Sequence, residues 1–201
     1  MEPRDVWLAV AALVLFAAAQ IAKPVVMARV DAVVASTKLN ARPLPDVMHA
    51  LLPDWRAHHI WGDVAVGITL AVFVAYCAAC LPRSGSACRL WTPVFEAACA
   101  FALFILLKVF INAVTILPDP SGMCEVKGSL GQCNDLMPSG HMAAVFIALF
   151  AIWGHADVLM KAVMVALAAA TCFITLATRN HYTIDVIMSG FVTYALWALA
   201  R

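Results

Sequence analysis

Six apolar stretches alternate with polar, proline-bearing connections along this chain. Read as helices, they predict membrane spans at about 6–22, 60–81, 90–117, 139–155, 158–177 and 183–200. Most are long enough to cross a hydrocarbon core of about 30 Å. The fourth is short, and suits a membrane only if its start lines a polar cavity. Trp7, Trp61 and Trp91 stand at predicted span starts, and Trp153 and Trp197 at span ends, where amphipathic rings favour the interface. The longest piece without a span is 23–59. Its apolar run from Val25 to Val34 either extends the first helix or lies along the interface, and Pro43, Pro45 and Pro53 then forbid a continuing helix. The fold expected is all-α: a polytopic membrane protein, one transmembrane domain over 1–201, with six helices.

Composition narrows the class. Of 201 residues 64% are hydrophobic and 12% charged, and the mean hydropathy is +0.91, too apolar for a single soluble core. The net charge of +1, with no Lys/Arg run, argues against nucleic acid as a partner. Arg4, an apolar run and Ala17-Ala18-Ala19 imitate a signal peptide, but Glu2 and Asp5 dilute the positive start, so a retained helix is expected. With six spans both termini share a face with Arg83, Arg89 and Lys161. Without the basic residues of 23–59, that face is the cytoplasmic one.

The chemistry gathers at two span starts. Asn134-Asp135-Leu136-Met137-Pro138-Ser139-Gly140-His141 opens the fourth, and His181-Tyr182-Thr183-Ile184-Asp185 opens the sixth. Ionisable groups at membrane depth are costly and point to function. His181 and Asp185 stand at i and i+4, so on a helix they share a face. The carboxylate can then fix one imidazole tautomer and stabilise the imidazolium. Ser139 is a good N-cap, Gly140 permits close backbone approach, and the free N–H groups of a first turn suit an anion. Two imidazoles at helix starts make a phosphoryl-transfer site, one attacking phosphorus and the other protonating the leaving oxygen. Lys108, deep in the third run, is read as an internal phosphate partner. Asp135 either meets a cationic headgroup or caps a turn. Asp63 and Glu96 are either neighbours of the triad or interhelical hydrogen-bonding groups.

Cysteine adds little. Cys77-Ala78-Ala79-Cys80 lies within a span with no second Cys/His pair nearby, and reads as packing. Cys124 and Cys133 bracket a short polar loop and would form a disulfide if that loop faces an oxidising compartment. His58 and His59 are adjacent, so their side chains diverge on a helix, and no metal or cofactor is expected.

In these motifs the chain resembles the sphingomyelin synthase family, a branch of the lipid phosphate phosphatase group. Arg42-Pro43-Leu44-Pro45-Asp46 resembles its Pro-Pro-Leu-Pro-Asp motif. The stretch from Lys108 to Leu117-Pro118 resembles its third-span motif, and Cys133-Asn134-Asp135 through Ser139-Gly140-His141 its Cys-Gly-Asp…Ser-Gly-His-Thr motif. His181-Tyr182-Thr183-Ile184-Asp185-Val186 matches its last motif throughout. Asn134 and Met142 replace the family's Gly and Thr, and Arg179 stands two residues before His181, not at the phosphatase spacing. The resemblance implies six helices and a His/His/Asp triad facing the exoplasmic side. It implies transfer of a phosphocholine or phosphoethanolamine headgroup to ceramide. His181 would be the nucleophile, Asp185 its orienting group and His141 the acid and base. Lys108, Asp135, Ser139, Gly140, Arg179 and Tyr182 would bind substrate. The enzyme expected is thus a membrane phosphotransferase acting on a phospholipid donor and a lipid-alcohol acceptor, in a bacterial inner membrane with its site facing the periplasm. The rival readings are a phospholipase C or lipid phosphatase using water, and a non-enzymatic transporter or scaffold.

Overall fold

A computed structural model of the protein describes residues 3–38, 43–80, 87–121, 134–135 and 137–200. Cys124 and Cys133, and with them the expected disulfide, lie outside the described residues, as does Arg42 of the proline motif. Among the described residues the secondary structure is helical, without a strand. The helices are α1 (Pro3–Thr37), α2 (Val47–Leu51), α3 (Ile60–Cys80), α4 (Ala87–Val114), α5 (Gly140–Ile152), α6 (Val158–Ala177) and α7 (Thr183–Ala200), with a 3-10 turn at Arg56–His58.

The first expected span needs correction. It does not stop at residue 22: α1 continues unbroken through Pro24 to Thr37, and the stretch apolar enough to cross a membrane is Leu13–Thr37. Lys23, which reads as the end of the apolar run, instead pairs with Asp135 at 2.9 Å, so its charge does not have to reach water. The run from Val25 to Val34 therefore extends the first helix, and Met27 and Val30 are buried.

The count of six spans is corrected to four. α1, α3, α4 and α6 contain stretches long and apolar enough to cross a membrane, Leu13–Thr37, Ile60–Ala79, Pro93–Val114 and Val158–Ala177. α4 ends at Val114, short of the expected 117, because Pro118 and Pro120 cannot continue it. α5 has 13 residues, about 20 Å of helix, and the apolar part of α7 is Thr183–Leu199.

The reason α5 can be short lies in its surroundings. It packs against α3, α4, α6 and α7, and eight of its residues, from Met142 to Ile152, are buried. A helix apolar on every side and enclosed by other helices need not match the bilayer thickness. α1 lies outside this group, against α4. The apolar core joins Phe73 and Cys77 of α3, Val145 and Leu149 of α5, Met164 of α6 and Val186 of α7. The bundle places the starts of α3, α5 and α7 at one end. There α2 and the 3-10 turn sit over the end of α6, where the Trp55 N–H takes up the Ala177 carbonyl at 2.8 Å.

Candidate active site

His141 occupies the first turn of α5. Ser139 caps that helix as expected, its Oγ accepting from the Met142 N–H at 3.3 Å. No atom lies within 4 Å of where a Cβ would stand on Gly140, so the space beside the cap is open. His181 sits in the turn before α7 and is 4% exposed, and Asp185 in the first turn of α7 is fully buried.

The backbone holds these two helix starts together. The Ser139 N–H donates to the Asp185 carbonyl at 3.2 Å. Ser189 Oγ lies 2.6 Å from that same carbonyl and 2.9 Å from the Ser139 carbonyl. Asp185 Oδ2 accepts from the Tyr182 N–H at 2.9 Å, which fixes the carboxylate over the turn that carries His181.

Four side chains result in one line. His141 Nδ1 and His181 Nε2 face each other at 3.3 Å, their rings edge to face. On the outer side of each ring stands a carboxylate. Asp63 Oδ1 of α3 is 2.6 Å from His141 Nε2, and Asp185 Oδ2 is 3.5 Å from His181 Nδ1. The second distance is long for a hydrogen bond and tightens readily when a site is occupied. Each outer carboxylate favours a proton on the nitrogen it faces, so the two inner nitrogens are the pair left to exchange with a reactant. Asp185 is sealed, whereas the Asp63 and His141 side chains are 67% and 30% exposed, so the line runs from core to surface.

Lys108 and Asp135 lie beside this line in a separate cluster. Lys108 Nζ donates to the Pro138 carbonyl at 2.7 Å and the Asp135 carbonyl at 2.9 Å, and pairs with Asp135 Oδ1 at 3.1 Å. An ammonium has three protons, so all its donors are engaged within the protein. Asp135 also receives Lys23 and Asn112. The structure thus places Lys108 and Asp135 as the fastening of the turn that leads into Ser139. Tyr182 is likewise occupied: its buried hydroxyl donates to the Pro118 carbonyl and accepts from the Leu44 N–H, both at 3.0 Å.

Arg179 differs from these. The Arg179 and Asn180 N–H groups bond the Leu176 and Thr175 carbonyls, the pattern of a Schellman motif closing α6. Arg179 holds the left-handed position there, at φ 57, which glycine normally takes. Its side chain is 9% exposed, and its Nη1 has no hydrogen-bond partner. A buried cation on a strained backbone costs stability twice over, and such costs gather at functional sites. Arg179→Gly is expected to raise the unfolding midpoint in detergent by roughly 2–4 °C, about 1 kcal/mol. In the same preparation turnover falls by about 10–100-fold. A midpoint that drops would contradict this reading of the backbone.

Three residues at the site carry no motif of their own. Asp63 is one of the two carboxylates in the line, although its sequence neighbourhood suits an interfacial position equally well. Asp46 and His49 reach the His181 turn from more than 130 residues away. The only signal for Asp46 is its place in the proline motif. Glycine at 62 is needed for a close approach: a Cβ there would come within 2.7 Å of Asn180 Nδ2, which donates to the His59 carbonyl. Among the described residues no cluster of His, Cys, Asp and Glu is arranged to hold a metal ion.

Comparison with known proteins agrees with the motifs. Residues 132–201 match the family described as PAP2 superfamily C-terminal, a segment that includes His141, His181 and Asp185. A phosphatidylethanolamine:ceramide ethanolaminephosphotransferase of Trypanosoma brucei brucei is 29% identical over 118 residues, covering 48% of this chain and 36% of that protein. A phosphatidylinositol:ceramide inositolphosphotransferase of Trypanosoma cruzi is 29% identical over 72 residues, covering 34% of this chain and 22% of that protein. The matched part is thus little more than a third of either relative's length. The resemblance seen in the motifs is borne out: the chain carries a PAP2 C-terminal region and is homologous, at modest identity, to ceramide phosphotransferases. With its long apolar helices, it reads as an integral membrane protein of lipid phosphotransferase and phosphatase ancestry.

Proposed function

We propose that the protein is a membrane phosphotransferase. It moves a phospholipid headgroup, phosphocholine or phosphoethanolamine, to ceramide or another lipid alcohol through a phosphohistidine intermediate. The observation that carries this reading is the pair of facing nitrogens, His141 Nδ1 and His181 Nε2, each backed by a carboxylate.

In the first step His181 Nε2 attacks phosphorus. A P–N bond forms, the P–O bond to diacylglycerol breaks, and His141 Nδ1 gives its proton to the departing oxygen. Asp185 stabilises the positive charge on the His181 ring, and Asp63 the imidazolium of His141 before it gives up that proton. In the second step neutral His141 takes the proton of the acceptor hydroxyl. The new P–O bond forms as the P–N bond breaks, and both histidines return to their starting states. Arg179 supplies a cation for the phosphoryl oxygens. Ser139, Gly140 and the first turn of α5 offer N–H groups to the same anion. Lys108, Asp135 and Tyr182 hold the turns that carry the histidines.

All seven helices belong to one membrane domain in this reading, with α5 and α7 completing a six-helix bundle beside the four long spans. The site faces the periplasmic side of a bacterial inner membrane. Lys161 lies 5.4 Å over the Trp153 ring at the opposite end, an arrangement suited to the cytoplasmic interface. With the 23–37 run inside α1, fewer basic residues of the 23–59 segment lie in the loop on the site's side.

A hydrolytic reading shares the site. The exposure of Asp63 and His141 would admit water as acceptor, giving phospholipase C or phosphatase activity. Purified protein in vesicles containing headgroup-labelled phospholipid separates the two. With ceramide added, label is expected in a new sphingolipid and diacylglycerol is released in equal amount. Label released only as a water-soluble phosphoester would assign the hydrolase, and no turnover with any lipid would leave a transporter or scaffold.

A further inference from the structure

The segment that follows α1 touches three consecutive residues at the candidate nucleophile. His49 Nε2 lies 2.9 Å from the His181 carbonyl. The His49 ring stacks on Tyr182 at 5.7 Å, and the Leu44 N–H donates to the Tyr182 hydroxyl at 3.0 Å. Asp46 accepts from Thr183 twice, Oδ2 from the N–H at 2.7 Å and Oδ1 from the hydroxyl at 2.6 Å. The same Asp46 Oδ1 caps α2 by accepting from the His49 N–H at 3.0 Å.

Each contact has a definite chemistry. A carbonyl only accepts, so His49 must carry its hydrogen on Nε2. Burial lowers the His49 pKa and keeps the ring neutral, which leaves a single N–H to spend there. Burial works to raise the Asp46 pKa, but the hydrogen bonds from Thr183 and His49 outweigh it, so Asp46 stays a carboxylate. Asp46 thus serves the first N–H of α7 and the first turn of α2 together, and ties the two helix starts into one unit.

Rotation about the His181 backbone would swing its ring away from His141 and Asp185. Intrinsic bonds of α7 begin after that point, so they do not prevent it. We propose that the Leu44–His49 segment is a positioning strap for the nucleophile, with His49 and Asp46 as the positioning residues that set the aim of the His181 ring through its own carbonyl and its neighbour Thr183. This rests on the proposed role of His181, and gives the proline-rich motif a task that its sequence does not disclose. A displacement of about 1 Å at a reacting atom costs about a hundredfold in rate.

The test compares His49→Leu, which removes the donor, with His49→Gln, whose carboxamide can still donate to the His181 carbonyl. Each is made in the full chain in lipid nanodiscs, with helix content checked by circular dichroism. Turnover of labelled phospholipid and the ring-nitrogen NMR signal of His181, assigned by its loss in His181→Ala, are read on the same samples. His49→Leu is expected to lower kcat by about 10–100-fold with KM changed less than threefold and to displace the His181 signal. His49→Gln is expected to restore most of both. Asp46→Asn, which sets an amide N–H against the Thr183 N–H, should behave like His49→Leu. The strap is overturned if His49→Leu keeps kcat within twofold of the native protein. It is equally overturned if His49→Gln is no better than His49→Leu. If the native protein turns over no lipid, the functional reading fails and the NMR signal alone decides: unchanged by His49→Leu, it refutes the strap, and displaced then restored, it supports it.

Discussion

His181→Ala is expected to lower headgroup transfer by about a thousandfold or more, with the fold intact. The ring is buried and packs between Asp185 and His141, so the substitution removes the attacking nitrogen and leaves the remaining groups in place. Those groups still bind and polarise a phosphoryl centre, which is why a residue of activity above the uncatalysed rate should persist. The comparison variant is Asp185→Asn. It keeps the shape, but lets the buried amide face the imidazole with the wrong hydrogen, so it should cost nearly as much in kcat with little change in KM. Rates of lipid product formation in detergent micelles, with circular dichroism as a control on folding, check both. If His181→Ala retained a tenth of the native rate, attack by this nitrogen would be refuted.

His141→Ala should separate the two halves of the reaction. The ring has one nitrogen on Asp63 and the other 3.3 Å from His181, so it is the group placed to move the proton of the leaving oxygen. A diacylglycerol alkoxide cannot depart without that proton, and removing a general acid costs about 10²–10⁴-fold. A nitrophenyl phosphodiester behaves differently, because nitrophenolate leaves unprotonated. The variant should therefore release nitrophenolate in a burst equal to the enzyme concentration. Turnover then stalls, because the acceptor hydroxyl has lost its base. Asp63→Asn should show the same pattern more weakly, since it removes only the partner that stabilises the His141 imidazolium. Equal losses on natural and activated substrates would assign His141 to binding rather than proton transfer.

Much of this site is legible in the sequence because its parts are local. The i,i+4 spacing of His181 and Asp185 survives in the structure as a shared helix start, and Ser139 caps α5 as its residue type suggests. What the sequence hides is every partner chosen across distance. Asp63 lies 78 residues from His141, and nothing around Asp63 distinguishes it from an acid at a helix start. His49 looks like a loop histidine until the fold brings it to the His181 carbonyl. Lys108 is a case where burial was foreseen and the partner was not: its donors end on Pro138 and Asp135. The length of α1 was obscured for the same reason. A lysine in an apolar run reads as an end, and Lys23 becomes an interior residue only because Asp135 meets it from another segment. Span counting erred on α5 because hydropathy measures how apolar a helix is, not whether lipid or protein surrounds it.

The central claim is a covalent bond between phosphorus and His181. It is tested most directly by mixing native protein with phospholipid labelled at phosphorus, in the absence of an acceptor alcohol, and quenching in alkali within milliseconds to seconds. Mass spectrometry of the peptide that spans residue 181 is then read with and without the quench. The account predicts an acid-labile, alkali-stable headgroup phosphate on His181, formed with release of one diacylglycerol and discharged when ceramide is added. Turnover that proceeds at its full rate with no label on this peptide, or with the label on another residue, would contradict it.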